Sequence, residues 1–269
     1  MKKAIVVSTH RAKFNAVAFK GDVEANLEKV ARFGYDGAEL AIRDPRAIDL
    51  DEIARLLRKY GLEAPAIGTG QAWGEEGLSF TDPDPDVRRA AIDRVKSHVS
   101  VAERLGAVII IGLLRGIVRP GVGRDQAVAW MVEALKECAE VAAKRGVRIA
   151  MEPINRYETT LINNARDGLA VIELVGADNL GLLLDTFHMN IEEPDMQGSI
   201  RLAGPRLFHF HVADSNRWYP GAGHIDFPGL IATLRAVGYG GWVSVEAMPM
   251  PDVDTCAEQS LAAMRSWGL

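Results

Sequence analysis

Short apolar segments alternate with longer amphipathic segments eight times along this chain, and this alternation limits the possible folds more than any other feature. The apolar segments predict strands at residues 4–8, 37–42, 62–67, 108–111, 147–152, 180–185, 207–212 and 242–246. The amphipathic segments predict helices at residues 22–33, 50–60, 85–105, 124–144, 165–175, 198–203, 228–237 and 255–267. Strands that alternate with helices form a parallel sheet with right-handed crossovers, and eight such pairs close it into a barrel. We therefore predict an α/β fold, a (β/α)8 TIM barrel.

The predicted barrel accounts for the chain as a single domain, residues 1–269. The mean repeat of 269/8, about 34 residues, is the size of one strand–helix unit. An open doubly wound sheet is the structural alternative, but it normally has fewer strands, and no Gly-x-Gly-x-x-Gly motif follows the first strand. No low-complexity segment or linker indicates a second domain.

Charge and cysteine content argue against several classes of protein. The formal net charge of −5 disfavours binding to nucleic acid. Cys138 and Cys256 lie far apart in predicted helices and form no Cys-x-x-Cys pair, so we expect buried or half-buried thiols in a reducing cytoplasm. The apolar run after Lys3 is too short for a signal peptide, and no run approaches the roughly 18 apolar residues of a membrane span. We expect a cytoplasmic protein that binds neither nucleic acid nor membrane.

Four consecutive predicted strands end on side chains that can bind a metal. These are Glu152, Asp185, His211 and Glu246. Catalytic groups of barrel enzymes lie at the C-terminal ends of the strands, and adjacent strands are about 4.8 Å apart, so these four can converge on one ion. Three carboxylates and one imidazole favour Mn²⁺, Mg²⁺ or Co²⁺ over a metal that prefers thiolates. We predict one divalent metal ion, with Mn²⁺ as the first choice.

Each of these residues also has an ordinary structural interpretation. A single acidic residue at a strand end is usually a helix N-cap or a solvated loop residue. His209 and His211 alternate on one predicted strand and so face the same side, with Phe208 and Phe210 opposite. Either histidine can be a buried structural residue with satisfied hydrogen bonds. It is the occurrence of such side chains at the ends of four successive strands that favours a metal site.

Loops after these strands carry further polar residues. Glu158, His188 and Arg217 can reach a substrate that lies across the metal, although each is also typical of an exposed loop. No glycine-rich loop feeds a helix near the last two strands, and residues 221–224 are equally a turn, so we expect an unphosphorylated substrate. Arg43 and Arg115 follow two earlier strands and can pair with the carboxylate of a keto-acid, although surface charge is the more common interpretation.

Several motifs resemble one family of sugar enzymes. They are MEPINRYET at 151–159, LDTFHMNIEE at 184–193, HFHVADSNR at 209–217, VSVE at 243–246 and IGTGQ at 67–71. Together they resemble the D-tagatose/D-psicose 3-epimerase group of the xylose-isomerase-like barrel superfamily, and the segment around Asp185 is the most specific. The resemblance spans essentially the whole chain, and within the group it is strongest to thermophile-type L-ribulose 3-epimerases and 5-keto-L-gluconate epimerases.

The resemblance implies a role for each candidate residue. Glu152, Asp185, His211 and Glu246 would bind the metal, and the two glutamates would also be the acid/base pair. The substrate-binding residues would be Glu158, His188 and Arg217, at the carbonyl end of a ketose. Epimerisation at C3 removes a proton from one face of the carbon next to the ketone and returns it to the other face, and the metal stabilises the cis-enediolate formed between these steps.

Other reactions are open to the same set of residues. An aldose–ketose or hydroxypyruvate-type isomerase moves the proton between adjacent carbons, and an inosose-type dehydratase also begins with proton abstraction next to a carbonyl. Endonuclease IV-type nucleases share the fold, but they use many histidines to bind three zinc ions, and this chain has six histidines in all. Fold alone does not choose among these activities. The resemblance suggests a homodimer or homotetramer.

Overall fold

The computed structural model describes residues 1–269 and contains nine parallel strands and ten α-helices. The strands are β1 (Lys2–Ser8), β2 (Phe19–Lys20), β3 (Gly37–Ala41), β4 (Ala66–Gly68), β5 (Val108–Ile111), β6 (Ile149–Met151), β7 (Leu180–Asp185), β8 (Leu207–Val212) and β9 (Trp242–Val245). The helices are α1 (Val23–Phe33), α2 (Leu50–Tyr60), α3 (Gln71–Glu76), α4 (Pro85–Leu105), α5 (Arg124–Ala143), α6 (Ala165–Val175), α7 (Thr186–Glu192), α8 (Met196–Ala203), α9 (Phe227–Ala236) and α10 (Val253–Ser266). Short 3₁₀ turns cover Pro45–Ala47, Leu113–Arg115 and Gly204–Arg206.

Eight of the strands close into a barrel, which confirms the predicted (β/α)8 fold. Each strand from β3 to β9 pairs with its neighbour in chain order, and β9 pairs with the first part of β1, from Lys2 to Ile5. The extra strand, β2, pairs with Val7 and Ser8, beyond the point where β9 ends. It therefore covers the part of the β1 edge that β9 leaves free.

The helices begin and end at the residues that their sequence signals favour. The Asp22 carboxylate caps α1 by accepting a hydrogen bond from the backbone N–H of Ala25, and Gly34 ends the helix with a φ of +96°. Asp49 caps α2 in the same way, and Gly61 ends it. A positive φ is costly for residues with a Cβ, which is why glycine stands at these ends.

The barrel interior is apolar at the N-terminal end of the strands and polar at the C-terminal end. The apolar layer consists of Ala66, Val108, Ile110, Ala150 and Leu183, with Phe208 packed against it. Most of the remaining buried apolar residues fill the space between the barrel and its helices. The predicted metal ligands lie at the C-terminal end of the strands, the functional end in this architecture, whereas Glu39 and His209 meet in the interior at mid-strand.

One detail of β8 differs from the prediction. The register between β7 and β8 shifts, so that Leu182 pairs with Leu207 whereas Leu183 pairs with His209. This bulge breaks the regular alternation of β8 at Phe208, whose ring packs on the interior apolar layer instead of lying opposite His209. Phe210 does lie on the outer face, in the core under the helices.

Two further expectations concern the whole chain. No helix is both long enough and apolar enough to cross a membrane. Both cysteines, Cys138 and Cys256, are buried free thiols, as predicted.

Candidate active site

The structure brings the four predicted metal-binding side chains together at the polar end of the barrel. Asp185 is the last residue of β7, His211 lies in β8, and Glu152 and Glu246 directly follow β6 and β9. One ligand atom from each lies within 4.8 Å of the others. Glycine at position 112 makes this packing possible, because a Cβ there would lie 2.8 Å from a carboxylate oxygen of Glu152.

Three of these side chains have a buried polar atom without a hydrogen-bond partner. The atoms are Oε1 of Glu152, Oδ2 of Asp185 and Nδ1 of His211. The other oxygen of Asp185 caps α7 by accepting from the backbone N–H of Phe187 at 2.8 Å, so Asp185 is both a helix N-cap and a member of the cluster. Buried polar atoms are normally satisfied, and three carboxylates with one imidazole are the ligand type that a hard divalent cation takes. The cluster therefore fits such a cation.

The electrostatics of the cluster lead to the same conclusion. Burial raises the pKa of Glu152 well above its ordinary range, and the charge of Glu246 raises it further. Burial likewise raises the pKa of Asp185, and it raises that of Glu246 to about 7 against the opposing charges of His211 and Arg217. Carboxyl groups this crowded resist ionisation together, and a bound cation would remove that resistance.

A buried carboxylate behind the cluster holds His211 in place. Glu39, in the middle of β3, lies 3.0 Å from Nε2 of His211 and 2.8 Å from Nε2 of His209. Burial alone would raise the pKa of Glu39, but the charges and hydrogen bonds of the two histidines bring it well below its usual range. Burial also opposes protonation of His211, yet Glu39 raises its pKa to about 10. Glu39 is not among the residues that the sequence predicts, and the sequence alone does not say which histidine is structural. The contact of His209 with Glu39, away from the four clustered ligand residues, identifies His209 as the structural histidine.

Arg217 and Glu158, both expected at the substrate, lie together beside Glu246. The guanidinium of Arg217 donates to Glu158 at 3.0 Å and to Glu246 at 3.1 Å. It is held between the rings of Phe14 and Phe187, at 5.2 and 4.7 Å from their centroids. Its backbone φ of +61° lies in the left-handed region, which is uncommon for a residue with a side chain.

His188 lies on the other side of the cluster, with its Nε2 3.7 Å from Oε1 of Glu152. The amide of Asn155 donates to Nδ1 of His188 at 2.8 Å, so Nε2 carries the proton of the neutral ring. Burial and the nearby charge of Arg217 lower the pKa of His188 well below its ordinary value. His188 is therefore a neutral hydrogen-bond donor at the cluster.

A cavity of about 290 Å³ opens above these residues. Glu152, His211, Glu246 and Arg217 line one side of it, together with Glu158 and His188. Residues at the start of the chain and around α3 line the rest, among them Phe14, Trp73 and Leu113. Only the IGTGQ motif at residues 67–71 indicates part of this second wall from the sequence. Phe14, Trp73 and Leu113 are not predicted, because each lies in a segment that follows a strand without a predicted metal ligand. The volume is close to the lower end of the range of about 300–1,000 Å³ that small-molecule sites occupy.

The two arginines considered for a substrate carboxylate have other partners. Arg115 is fully buried and donates to the backbone carbonyls of Gly112, Leu161 and Ile162, so it is neither a surface charge nor a free cation. Arg43 pairs with Glu75 and Glu76. Residues 221–224 form the predicted turn, and the Asp214 carboxylate accepts the backbone N–H of Gly221 at 2.7 Å.

Comparisons with known proteins agree with this geometry. Residues 27–267 match the model of the family described as xylose isomerase-like TIM barrel. The L-ribulose 3-epimerase of Methylomonas sp. (strain DH-1) is 33% identical over 260 residues, which cover 94% of this chain and 89% of that protein. The crystal structure of a D-allulose 3-epimerase from Methylomonas sp. in complex with D-allulose has a TM-score of 0.85 at 28% identity, covering 99% of this chain and 96% of that one. The structure of a D-psicose 3-epimerase with D-tagatose from Clostridium cellulolyticum H10 has a TM-score of 0.83 at 27% identity and covers 99% of both chains.

The chain therefore belongs to the xylose isomerase-like TIM barrel family. Within that family it is a member of the ketose 3-epimerases, a group of isomerases, as the resemblance of its motifs implied.

Proposed function

We propose that this chain inverts C3 of a free ketose or keto-acid sugar, with Glu152 and Glu246 as the two acid/base groups. The observation that carries the proposal is the cluster of Glu152, Asp185, His211 and Glu246, whose ligand atoms lie within 4.8 Å of one another. Glu152, His211 and Glu246 also line the cavity. L-ribulose, D-psicose, D-tagatose and 5-keto-L-gluconate are the candidate substrates.

A single divalent ion, Mn²⁺ before Mg²⁺ or Co²⁺, would be held by these four residues. Bound there, it would act as a Lewis acid that polarises the carbonyl of the substrate. The unpaired atoms of Glu152, Asp185 and His211 support this assignment, since each is buried without a partner in the protein.

The two glutamates have different neighbours, as an acid and a base require. Glu246 accepts a hydrogen bond from Arg217 at 3.1 Å, whereas Glu152 faces the neutral ring of His188 at 3.7 Å. The carboxylate on one face of the sugar removes the C3 proton, and the carboxyl group on the other face returns one. His188 donates a hydrogen bond to a substrate oxygen, while Arg217 and Glu158 hold the oxygens at the carbonyl end.

The test is deuterium incorporation. Each candidate ketose is incubated in D₂O with the Mg²⁺-loaded enzyme, and proton NMR follows the signal at C3. The proposal predicts that deuterium enters at the carbon next to the ketone as the epimer forms, which is C3 of the ketoses and the equivalent C4 of 5-keto-L-gluconate. The substrate that reacts fastest identifies the preferred sugar. Absence of exchange at this carbon in every sugar, with metal bound, would contradict it.

The same experiment distinguishes the competing reactions. An aldose–ketose or hydroxypyruvate-type isomerase would produce an aldehyde, with deuterium exchange at C1 or C2 of the sugar. A dehydratase would release water and form a new ultraviolet-absorbing enone. A nuclease would leave all the sugars unchanged and nick abasic DNA.

We also propose that the chain acts as a homodimer or homotetramer, which light scattering would establish.

A further inference from the structure

Behind the cluster is a carboxylate that nothing in the proposed reaction uses. Glu39 is 2% exposed and lies in β3, a strand whose other residues are glycine, alanine and leucine. An ionised group in such a place is costly unless it is paired. The two partners that Glu39 has, His209 and His211, are themselves only 1% exposed. Burying a charge together with two histidines costs desolvation free energy. We therefore expect Glu39 to have a specific role.

The geometry of His211 indicates that role. Its Nε2 lies 3.0 Å from both carboxylate oxygens of Glu39, so Nε2 carries a hydrogen and donates it. Its Nδ1 faces Asp185, 3.9 Å from Oδ2, and has no hydrogen-bond partner. Glu39 fixes the ring from the Nε2 side. In the neutral tautomer with its proton on Nε2, the lone pair of Nδ1 is free, and this is the tautomer that can bind a metal through Nδ1.

His209 holds the carboxylate of Glu39 by a second hydrogen bond. Its Nε2 donates to Oε2 of Glu39 at 2.8 Å, and the two imidazole rings meet edge to face with centroids 5.2 Å apart. Glu39 is therefore bonded from two directions.

We propose that Glu39 is a positioning residue that sets the affinity of the cluster for its metal, by fixing the tautomer and the orientation of His211. The inference rests on the proposed function, because it takes the cluster to be a metal site. Removing such an outer carboxylate typically weakens metal binding about 10- to 100-fold.

Glu39, His209 and His211 also lie close enough to suggest a second metal site. That alternative is disfavoured, because Nε2 of each histidine already lies within hydrogen-bond distance of Glu39 and the other nitrogen of His211 faces the first cluster. The alternative predicts two equivalents of bound ion per chain, whereas the proposal predicts one.

The test is calorimetric titration of Mn²⁺ into the metal-stripped protein and its variants. We expect one equivalent to bind the unmodified protein and the dissociation constant to rise about 10- to 100-fold in Glu39→Gln. Glutamine has the same shape but no charge, and its amide can donate to Nε2 of His211 and so place the proton on Nδ1. In the Mg²⁺-loaded, [¹⁵N]histidine-labelled protein, we expect the His211 signals to report a proton on Nε2.

Two further variants separate positioning from folding. Leu183→Ala removes an apolar side chain of the interior layer that pairs in register with His209, so it should lower the melting temperature and change the Mn²⁺ dissociation constant less than twofold. Glu39→Asp keeps the charge but shortens the side chain, so we expect weaker Mn²⁺ binding here too, and this variant decides the question if Glu39→Gln does not fold.

The outcomes are distinguishable. A folded Glu39 variant that binds Mn²⁺ as tightly as the unmodified protein would overturn the inference and leave the proposed function intact, as would two equivalents of bound Mn²⁺. Failure of the unmodified protein to bind Mn²⁺ at all would instead contradict the proposed metal site.

Discussion

Removing a charge from the cluster should stabilise the metal-free protein even though it destroys the metal site. The variant is Glu246→Gln. In the fold, burial raises the pKa of Glu246 from an ordinary 4.5 to about 7. Each tenfold change in proton affinity corresponds to about 1.4 kcal/mol, so the ionised carboxylate costs the metal-free fold about 3 kcal/mol. Glutamine carries no charge and avoids that cost.

The sign and the pH range follow from the same values. Well below pH 4.5 the carboxyl group is protonated in both the folded and the unfolded chain, so the cost is absent. Between pH 4.5 and about 7 the unfolded chain ionises while the folded one holds its proton, and the metal-free protein loses stability as pH rises. Above that range the full cost is present. The advantage of Glu246→Gln should therefore be largest at pH 8 and small at pH 5.

The assay is a melting curve of the metal-stripped proteins at both pH values, with and without excess Mn²⁺. A gain of about 3 kcal/mol corresponds to about 6 °C for a chain of this size. Mn²⁺ should reverse the order of the two melting temperatures. An ion that binds only the folded state stabilises the unmodified protein, whereas the variant has lost a ligand and gains less. The control is Glu140→Gln, at an exposed glutamate paired with Lys144, where no change is expected.

One result would refute the reasoning. If metal-free Glu246→Gln melted at or below the temperature of the unmodified protein at pH 8, the buried charge of Glu246 would not be a source of instability. The electrostatic case for a bound cation would then fail with it.

Two substitutions test separate parts of the site, and a labelling experiment tests the burial of the cysteines. Glu152→Gln should lower kcat at least about 100-fold with an unchanged circular dichroism spectrum, and near-normal turnover would contradict the two-carboxylate mechanism. Arg217→Lys should lower kcat/KM about 10- to 100-fold, because one ammonium cannot replace the stacked, forked contacts to two carboxylates; steady-state kinetics would show this, and an unchanged value would mean that those contacts are not used. Burial raises the pKa of Cys138 to about 12 and that of Cys256 to about 11, so neither thiol should react with a disulfide reagent at pH 8 until guanidinium unfolds the chain, and rapid labelling of the native protein would contradict their burial.

The site residues that the sequence predicts are those that lie at the ends of strands. Asp185 and Glu246 stand out because each interrupts an apolar run at a point where barrel strands deliver side chains to one rim. Their convergence follows from the parallel order of the strands and needs no distance information.

Residues whose role depends on distant partners could not be found in this way. Glu39 meets His209 across 170 positions of the chain, and a lone glutamate inside a predicted strand carries no sign of that pairing. Arg115 was misjudged for the same reason, because its partners are backbone carbonyls of another loop. The short helices α3 and α7 and the bulge at Phe208 depend on local packing, which periodicity does not report.

The apolar layer at the N-terminal end of the barrel has a consequence for the order of events at the site. Leu183, Phe208 and their neighbours fill the barrel interior below the site. Ions and sugars would therefore reach the site by one passage, the cavity on the other side. An ion held by the four clustered residues would sit at the bottom of that passage, and a sugar bound above it would cover the way out. Loading would then be sequential, metal first and sugar second, and a chelator would remove the ion more slowly from the sugar complex than from the free enzyme.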